Sequence, residues 1–472
     1  MHAFSDLRAV ETGVSVEDAF WSHKLKIFRE VTLPDVLTKL EKDGAISNYE
    51  KVIAGEGKHQ GCPWHDGLLM ETLRGASDYL RQQRDPALEA RIDAYAAIVQ
   101  EAQLAAGGGY LSTYTLLDRP HQRYGENGGN IQWQHDLYNC GCLVEAGVHH
   151  YRATGKTVLL TCALRCANEL AAVLGEPPRK WVVPGHSLPE YAMLELYALT
   201  RDDPDIPKLV DCDVRPDDYL RLAEFWVRGR GVHAHRTNGP VYLGEYAQDH
   251  APAHAQYSAV GHAVRAMLYY TGITRLAIER RDAGLLEDSL RLWRSVADHK
   301  LYINGGVGAT HFEEKLGADY DLPNDGYLET CASVGLIFWA KALHDATGKA
   351  EFYDVIERAL YNIMLSSVAL HGTAYFYRNP LASTGNDHHW AWHGCPCCPP
   401  MILKLFGAFD TYVYSTRKDA CFVNLYVSGK AIIPLAHGHV VLDQSSGYPW
   451  DGRVTLRVSE GAAEMLALRI PA

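Results

Sequence analysis

The sequence predicts a mainly α-helical protein of stacked helical hairpins, open or closed into a toroid, followed by a β-strand region. Three observations carry this. Apolar residues recur at helical spacing through most of the 472 residues. A weak internal repeat closes helical segments in a shared phrase, HYRATGK at 150–156, YYTG at 269–272 and HDATGK at 344–349, and glycine there reads as a helix stop. After about Phe409 the period changes from helical to alternating.

The elements follow in order. Leu88, Ile92, Tyr95 and Val99 line one face of a helix, and Ala192, Leu196 and Leu199 line another. The run VGLIFWA at 334–340 is apolar on every side, as a helix buried all round must be. Beyond Phe409, CFVNLYVSG, AIIPLAHGHVVL, RVTLRV and MLALRI read as strands of a sandwich. The chain therefore divides into a helical part at 1–409 and a strand part at 410–472. About 60 strand residues make a poor sandwich alone, so this part is expected to be truncated. Completion by a second copy, in a homodimer, is left open.

The formal net charge of −12 disfavours nucleic acid and anionic membranes as partners. No run is apolar and long enough to span a bilayer. Asp6, Glu11, Glu17 and Asp18 interrupt the first 20 residues, which carry no apolar core of a signal peptide. A cytoplasmic location is the expectation. The 11 cysteines, an odd number in a long chain, read as thiols rather than a disulfide framework. Cys162, Cys166 and Cys212 read as core fillers.

Two clusters carry chemistry. His393-Gly394-Cys395-Pro396-Cys397-Cys398-Pro399-Pro400 is a proline-stiffened loop presenting adjacent thiols. Chance, a strained redox disulfide and metal binding all remain open for it. Tyr327-Leu328-Glu329-Thr330-Cys331 opens the buried helix, where an irregular first turn would let Glu329 and Cys331 converge. Glu329, Cys331, Cys397 and Cys398 together make a four-coordinate set of one carboxylate and three thiolates, suited to zinc rather than magnesium or calcium. Four protein ligands normally mean a closed structural site, a serious rival to catalysis. Around them lie His135, His186, His250, His254, His262, Glu313 and Glu314. In a toroid the heads of the inner helices share one mouth, which would gather His135, His186, His262 and Glu329. Trp390 and Trp392 suit sugar faces and core packing equally.

The stretch YDLPND…ETCASVG at 320–335, the CPCCPP loop, HDLYNCGCLVEAGVHHYRATGK, VGHAVRA and FYRNPL resemble glycoside hydrolase family 127, the β-L-arabinofuranosidase family, over nearly the whole chain. The resemblance implies an (α/α)6 barrel followed by β-sandwich domains. It implies a retaining glycosidase with a cysteine nucleophile held at zinc: Cys397 as nucleophile, Glu329, Cys331 and Cys398 as the other ligands, and Glu314, with Glu313 as rival, as acid/base. His135, His186, His262 and Tyr377 match substrate-site positions. Cys142 stands where the family commonly has histidine, Met401 where it has asparagine, and Glu313 where it has glycine. Adjacent Glu313 would raise the Glu314 carboxyl if both point into the cleft. A sugar epimerase on the same toroid, needing no zinc, and a carbohydrate-binding protein with structural zinc are the rival readings.

Overall fold

Six long helices form a closed ring in the computed structural model, which describes residues 4–237 and 244–472. They are α1 (His65–Gln82), α2 (Asp136–Thr154), α3 (Pro189–Asp202), α4 (Ala263–Arg280), α5 (Thr330–Thr347) and α6 (Cys398–Gly407). Each packs on the next, and α6 returns against α1. Outer helices alternate with them along the chain: Leu33–Lys42, Pro86–Ala105, Val158–Val173, Pro216–Gly229, Ala283–Ala297 and Glu351–Ala359. This alternation of six outer and six inner helices is an (α/α)6 toroid, the expected closed form.

Helices of the inner ring have neighbours on every side, which explains the all-round apolar run in α5. Polar residues inside the ring must then be paired. Lys404 of α6 reaches Glu145 at 2.7 Å and Glu71 at 3.4 Å, and Arg230 meets Glu190 at 2.7 Å with both side chains fully buried. Close approach of α1 and α6 depends on Gly75, where a Cβ would stand 2.8 Å from the Leu403 carbonyl.

The repeated glycine phrase has two meanings. Gly155 and Gly348 close α2 and α5 in the left-handed conformation, at φ 73° and 71°. Gly272 corrects the expectation: it lies inside α4, where its missing Cβ leaves room for Glu190 of α3. The signal there is helix–helix contact, not a stop.

Two four-stranded sheets pack beside the toroid. One has the order β1 (Arg8–Ala9), β3 (Tyr414–Arg417), β4 (Ala420–Val423), β8 (Met465–Leu468), with β4 and β8 parallel. The other runs β2 (Val14–Val16), β5 (Gly429–Leu435), β6 (Gly438–Ser446), β7 (Val454–Gly461), all antiparallel. Val10, Cys421, Val423, Ile433 and Leu442 fill the space between them. The N-terminal segment thus belongs to the sheets, a placement the strand pattern after Phe409 did not reveal. Among the described residues no helix is long and apolar enough to cross a membrane.

Candidate active site

The N-terminal ends of the inner helices open onto one cavity of about 420 Å³. His135, in the left-handed region at φ 55°, immediately precedes α2. His186 lies in the turn before α3, His262 is the residue before α4, Glu329 the residue before α5, and Cys397 the residue before α6. Prolines at 399 and 400 fit the first turn of α6, where an N–H has no helical partner. Helix N-termini carry partial positive charge, so Glu329, Cys397 and Cys398 sit where anions are favoured.

Glu329, Cys331, Cys397 and Cys398 form a compact donor group with all ligand atoms within 4.8 Å of one another. Cys331 Sγ lies 3.3 Å from Cys397 Sγ and 3.4 Å from Cys398 Sγ, and Cys397 Sγ lies 3.8 Å from Cys398 Sγ and 3.5 Å from Glu329 Oε1. Thiolates around tetrahedral zinc stand roughly 3.8 Å apart, which this group approaches. Glu329 Oε2 is buried without a hydrogen-bond partner. Burial, then the Glu314 charge, push the Glu329 carboxyl well above its ordinary range. Burial, then hydrogen bonds to Cys397 and Cys398, do the same to the Cys331 thiol. Four such groups cannot ionise together without a compensating cation, so the donor set fits a soft divalent metal. Cys331 and Cys398 are buried, whereas Cys397 is partly accessible and lines the cavity.

Glu314 faces this cluster. It accepts hydrogen bonds from His262 Nε2 at 2.9 Å, Tyr327 Oη at 2.9 Å and Tyr377 Oη at 3.1 Å. The His262 ring has one assignment: its Nδ1 accepts from the Arg265 N–H, so its proton sits on Nε2. Burial raises the Glu314 carboxyl, but these donors outweigh it and hold the group below its usual value. This corrects the expectation that Glu313 raises it. Glu313 pairs with Lys315 Nζ at 2.8 Å on the rim. Both residues adopt left-handed backbone, at φ 54° and 53°, which costs on the order of 1–2 kcal/mol each for side chains with a Cβ. Cross-links hold the loop in that shape: Thr310 N–H to the Lys315 carbonyl at 3.1 Å, and Leu316 N–H to the Gly261 carbonyl at 3.0 Å.

His135 and His186 supply the opposite wall. Nδ1 of each donates to a backbone carbonyl, of Trp133 at 3.0 Å and Ser187 at 2.8 Å, so Nε2 is the acceptor of each ring; that of His135 faces Arg265 Nη2 at 3.5 Å, and that of His186 carries no described hydrogen bond. Burial, then the Arg265 charge, hold His135 down to about 3 and His186 well below the usual histidine value. Both are neutral, and His186 offers an acceptor suited to a hydroxyl group.

All the residues singled out for the site except Cys398 line this cavity, and Cys398 lies just behind Cys331. His250, His254, Trp390 and Trp392 do not line it. Residues missed include Arg265, buried over the Tyr246 ring at 4.6 Å, and Tyr327. Tyr327 stands two positions before Glu329 in the motif itself, and Arg265 stands three after His262 in VGHAVRA; for Tyr246 the sequence carried no signal.

The fold is an α-helical toroid with a polar cavity at its helix N-termini, and comparison with known proteins places the chain among the carbohydrate-active enzymes built this way. The model of the β-L-arabinofuranosidase, GH127 catalytic domain matches residues 13–411. A non-reducing end β-L-arabinofuranosidase of Bifidobacterium longum is 31% identical, covering 91% of this chain and 68% of the relative. A solved GH127 β-arabinofuranosidase superposes with a TM-score of 0.90 at 35% identity, over 100% of this chain and 72% of the other. A GH127 β-L-arabinofuranosidase of Geobacillus stearothermophilus T6 gives 0.87 at 32% identity, over 98% and 75%. The chain belongs to glycoside hydrolase family 127 and is a glycoside hydrolase.

Proposed function

We propose that this chain removes terminal β-L-arabinofuranosyl residues with retention of configuration, using Cys397 as nucleophile and Glu314 as acid/base. Glu329, Cys331, Cys397 and Cys398 would hold a zinc ion. The observation that carries the reading is the accessible Cys397 thiol, on the same cavity as Glu314, inside an otherwise buried donor group. When bound, zinc supplies the positive charge that keeps thiols deprotonated near neutral pH, where a free cysteine of pKa about 8.5 is mostly protonated.

The chain's own residues divide the remaining work. Nε2 of His186 accepts from a sugar hydroxyl, while His135, whose Nε2 faces Arg265 Nη2, shapes the wall beside it and orients the ring. Cys397 Sγ forms a bond to the anomeric carbon as the glycosidic C–O bond breaks, and Glu314 gives its proton to the departing oxygen. Glu314 then takes a proton from water, whose oxygen displaces the sulfur from the anomeric carbon. Two displacements restore the starting configuration, as in the two-carboxylate retaining enzymes. The ionised Glu314 of the free cavity is the form the second step needs. A neutral sugar displacing water disfavours the charge and supports the protonated form needed for the first.

The test pairs metal analysis with cleavage of p-nitrophenyl β-L-arabinofuranoside. About one zinc per chain and nitrophenol release are expected, with Cys397→Ser folded but slower by at least roughly 10³-fold. Near-normal turnover in Cys397→Ser would remove the thiolate from the mechanism. Zinc without hydrolysis of any glycoside would leave a binding protein with a structural metal.

A further inference from the structure

Glu314 protonates the leaving oxygen in the proposed reaction, so the leaving group must lie against the segment that carries Glu314. Two other side chains of that segment line the cavity, His311 and Glu313. His311 Nε2 donates to the Asp325 carbonyl at 2.9 Å, and its other ring nitrogen, Nδ1, carries no described hydrogen bond and serves as the acceptor. Glu313 engages Lys315 through Oε2, and its other oxygen carries no described hydrogen bond. The side chain is 43% exposed and thus open to solvent at the cavity mouth. Backbone hydrogen bonds strap the loop to Gly261 and to its own Thr310, so the backbone that carries the two acceptors is held before any ligand arrives. The cavity, at about 420 Å³, is in the ~300–1,000 Å³ class that encloses ligands larger than one five-carbon sugar.

We infer that His311 and Glu313 form a leaving-group subsite that selects a hydroxyl-bearing leaving group, a second sugar or a polyol, over a simple alkyl one. The inference rests on the reading of Glu314 as the acid. Two acceptors on one cavity wall are satisfied by hydroxyl donors, and a leaving group without hydroxyls leaves both unused. Neither residue takes part in bond making. They determine specificity by contact with the departing half of the substrate.

The experiment compares kcat/KM on methyl β-L-arabinofuranoside with that on a β-L-arabinofuranosyl-arabinose disaccharide. Wild-type enzyme is expected to prefer the disaccharide by at least tenfold. Glu313→Gly, which also relieves the left-handed backbone, and His311→Ala are expected to lose about tenfold on the disaccharide while staying within about twofold on the methyl glycoside. Glu313→Gln keeps an acceptor oxygen and is expected to retain at least a third of the wild-type preference. Equal losses on both substrates, or an unchanged preference in all three variants, would overturn the subsite. A wild-type enzyme that cleaves neither compound but hydrolyses another glycoside would overturn the sugar assignment, and the same variants compared on methyl and disaccharide forms of that sugar would then decide the subsite.

Discussion

A carboxylate that accepts three hydrogen bonds in a buried wall is fixed in place as well as in charge. Glu314 receives them from His262, Tyr327 and Tyr377. Hydrogen bonds to a charged group contribute about 1.5–3 kcal/mol each. Tyr327→Phe removes one donor without changing ring shape, so kcat/KM is expected to fall about tenfold, roughly 1.4 kcal/mol, with the melting temperature nearly unchanged. Steady-state kinetics beside a thermal melt checks this, and an undiminished kcat/KM would mean that the other two donors hold Glu314 alone. The donor cluster was legible from sequence because its members sit in two short, chemically unusual runs. Its irregular geometry was legible too, since Glu329 and Cys331 do converge at a helix start. The partners of Glu314 were only half legible: His262 and Tyr377 came with the family resemblance, while the reach of Tyr327 depends on a loop folding back across 13 residues.

Helices explain why these residues meet. Every inner helix begins at the cavity, so one residue before or at each N-terminus suffices to build the wall. The α1–α6 contact is a close backbone approach tied to the site, because α6 carries Cys398. Gly75→Ala would push a methyl group into the Leu403 carbonyl 2.8 Å away. A loss of about 1–3 kcal/mol is expected, as for overpacking in a dense core, and denaturant unfolding measures it. No pattern in the sequence distinguishes this glycine, or Gly272, from a helix stop. Both are made necessary by a neighbouring helix that local sequence does not describe.

The far end of the ring holds a charged network away from the cavity. His149 Nδ1 lies 2.8 Å from Asp78 Oδ1, and its Nε2 lies 3.4 Å from Glu195 Oε2, with Arg74 and Arg152 also close. Burial lowers the imidazole, but the Asp78 and Glu195 charges outweigh it and raise the group above its usual value. The sign follows: a raised histidine contributes stability that is full below its unfolded value of about 6.5 and fades as pH rises through the folded value. The melting-temperature gap between wild type and His149→Gln is therefore expected to be wider near pH ~5.5 than near pH ~9. A gap independent of pH would mean that the ring stays neutral and contributes by packing alone.

At the scale of the whole molecule, the toroid and the sheets share one continuous architecture. The change of period after Phe409 announced the later strands. The partners β1 and β2 escaped notice because strands of two and three residues carry no readable alternation. Removing residues 4–16 uncovers the edges of β3 and β5, which β1 and β2 cover. Self-association is expected to follow, seen as a concentration-dependent mass in size-exclusion chromatography with light scattering. A monodisperse shortened chain would mean that the edges protect themselves.

The pairing of Arg8 with Thr416 also imposes an order in time. On the ribosome, the two short strands emerge ahead of the helical ring, and their partners follow about 400 residues later. At ~5–20 residues per second, that interval is roughly 20–80 s. Through it the entire helical ring can be threaded and packed while β1 and β2 wait without partners. The two short strands are made long before they can settle, so the nascent protein carries sticky, unpaired edges through the synthesis of the whole ring.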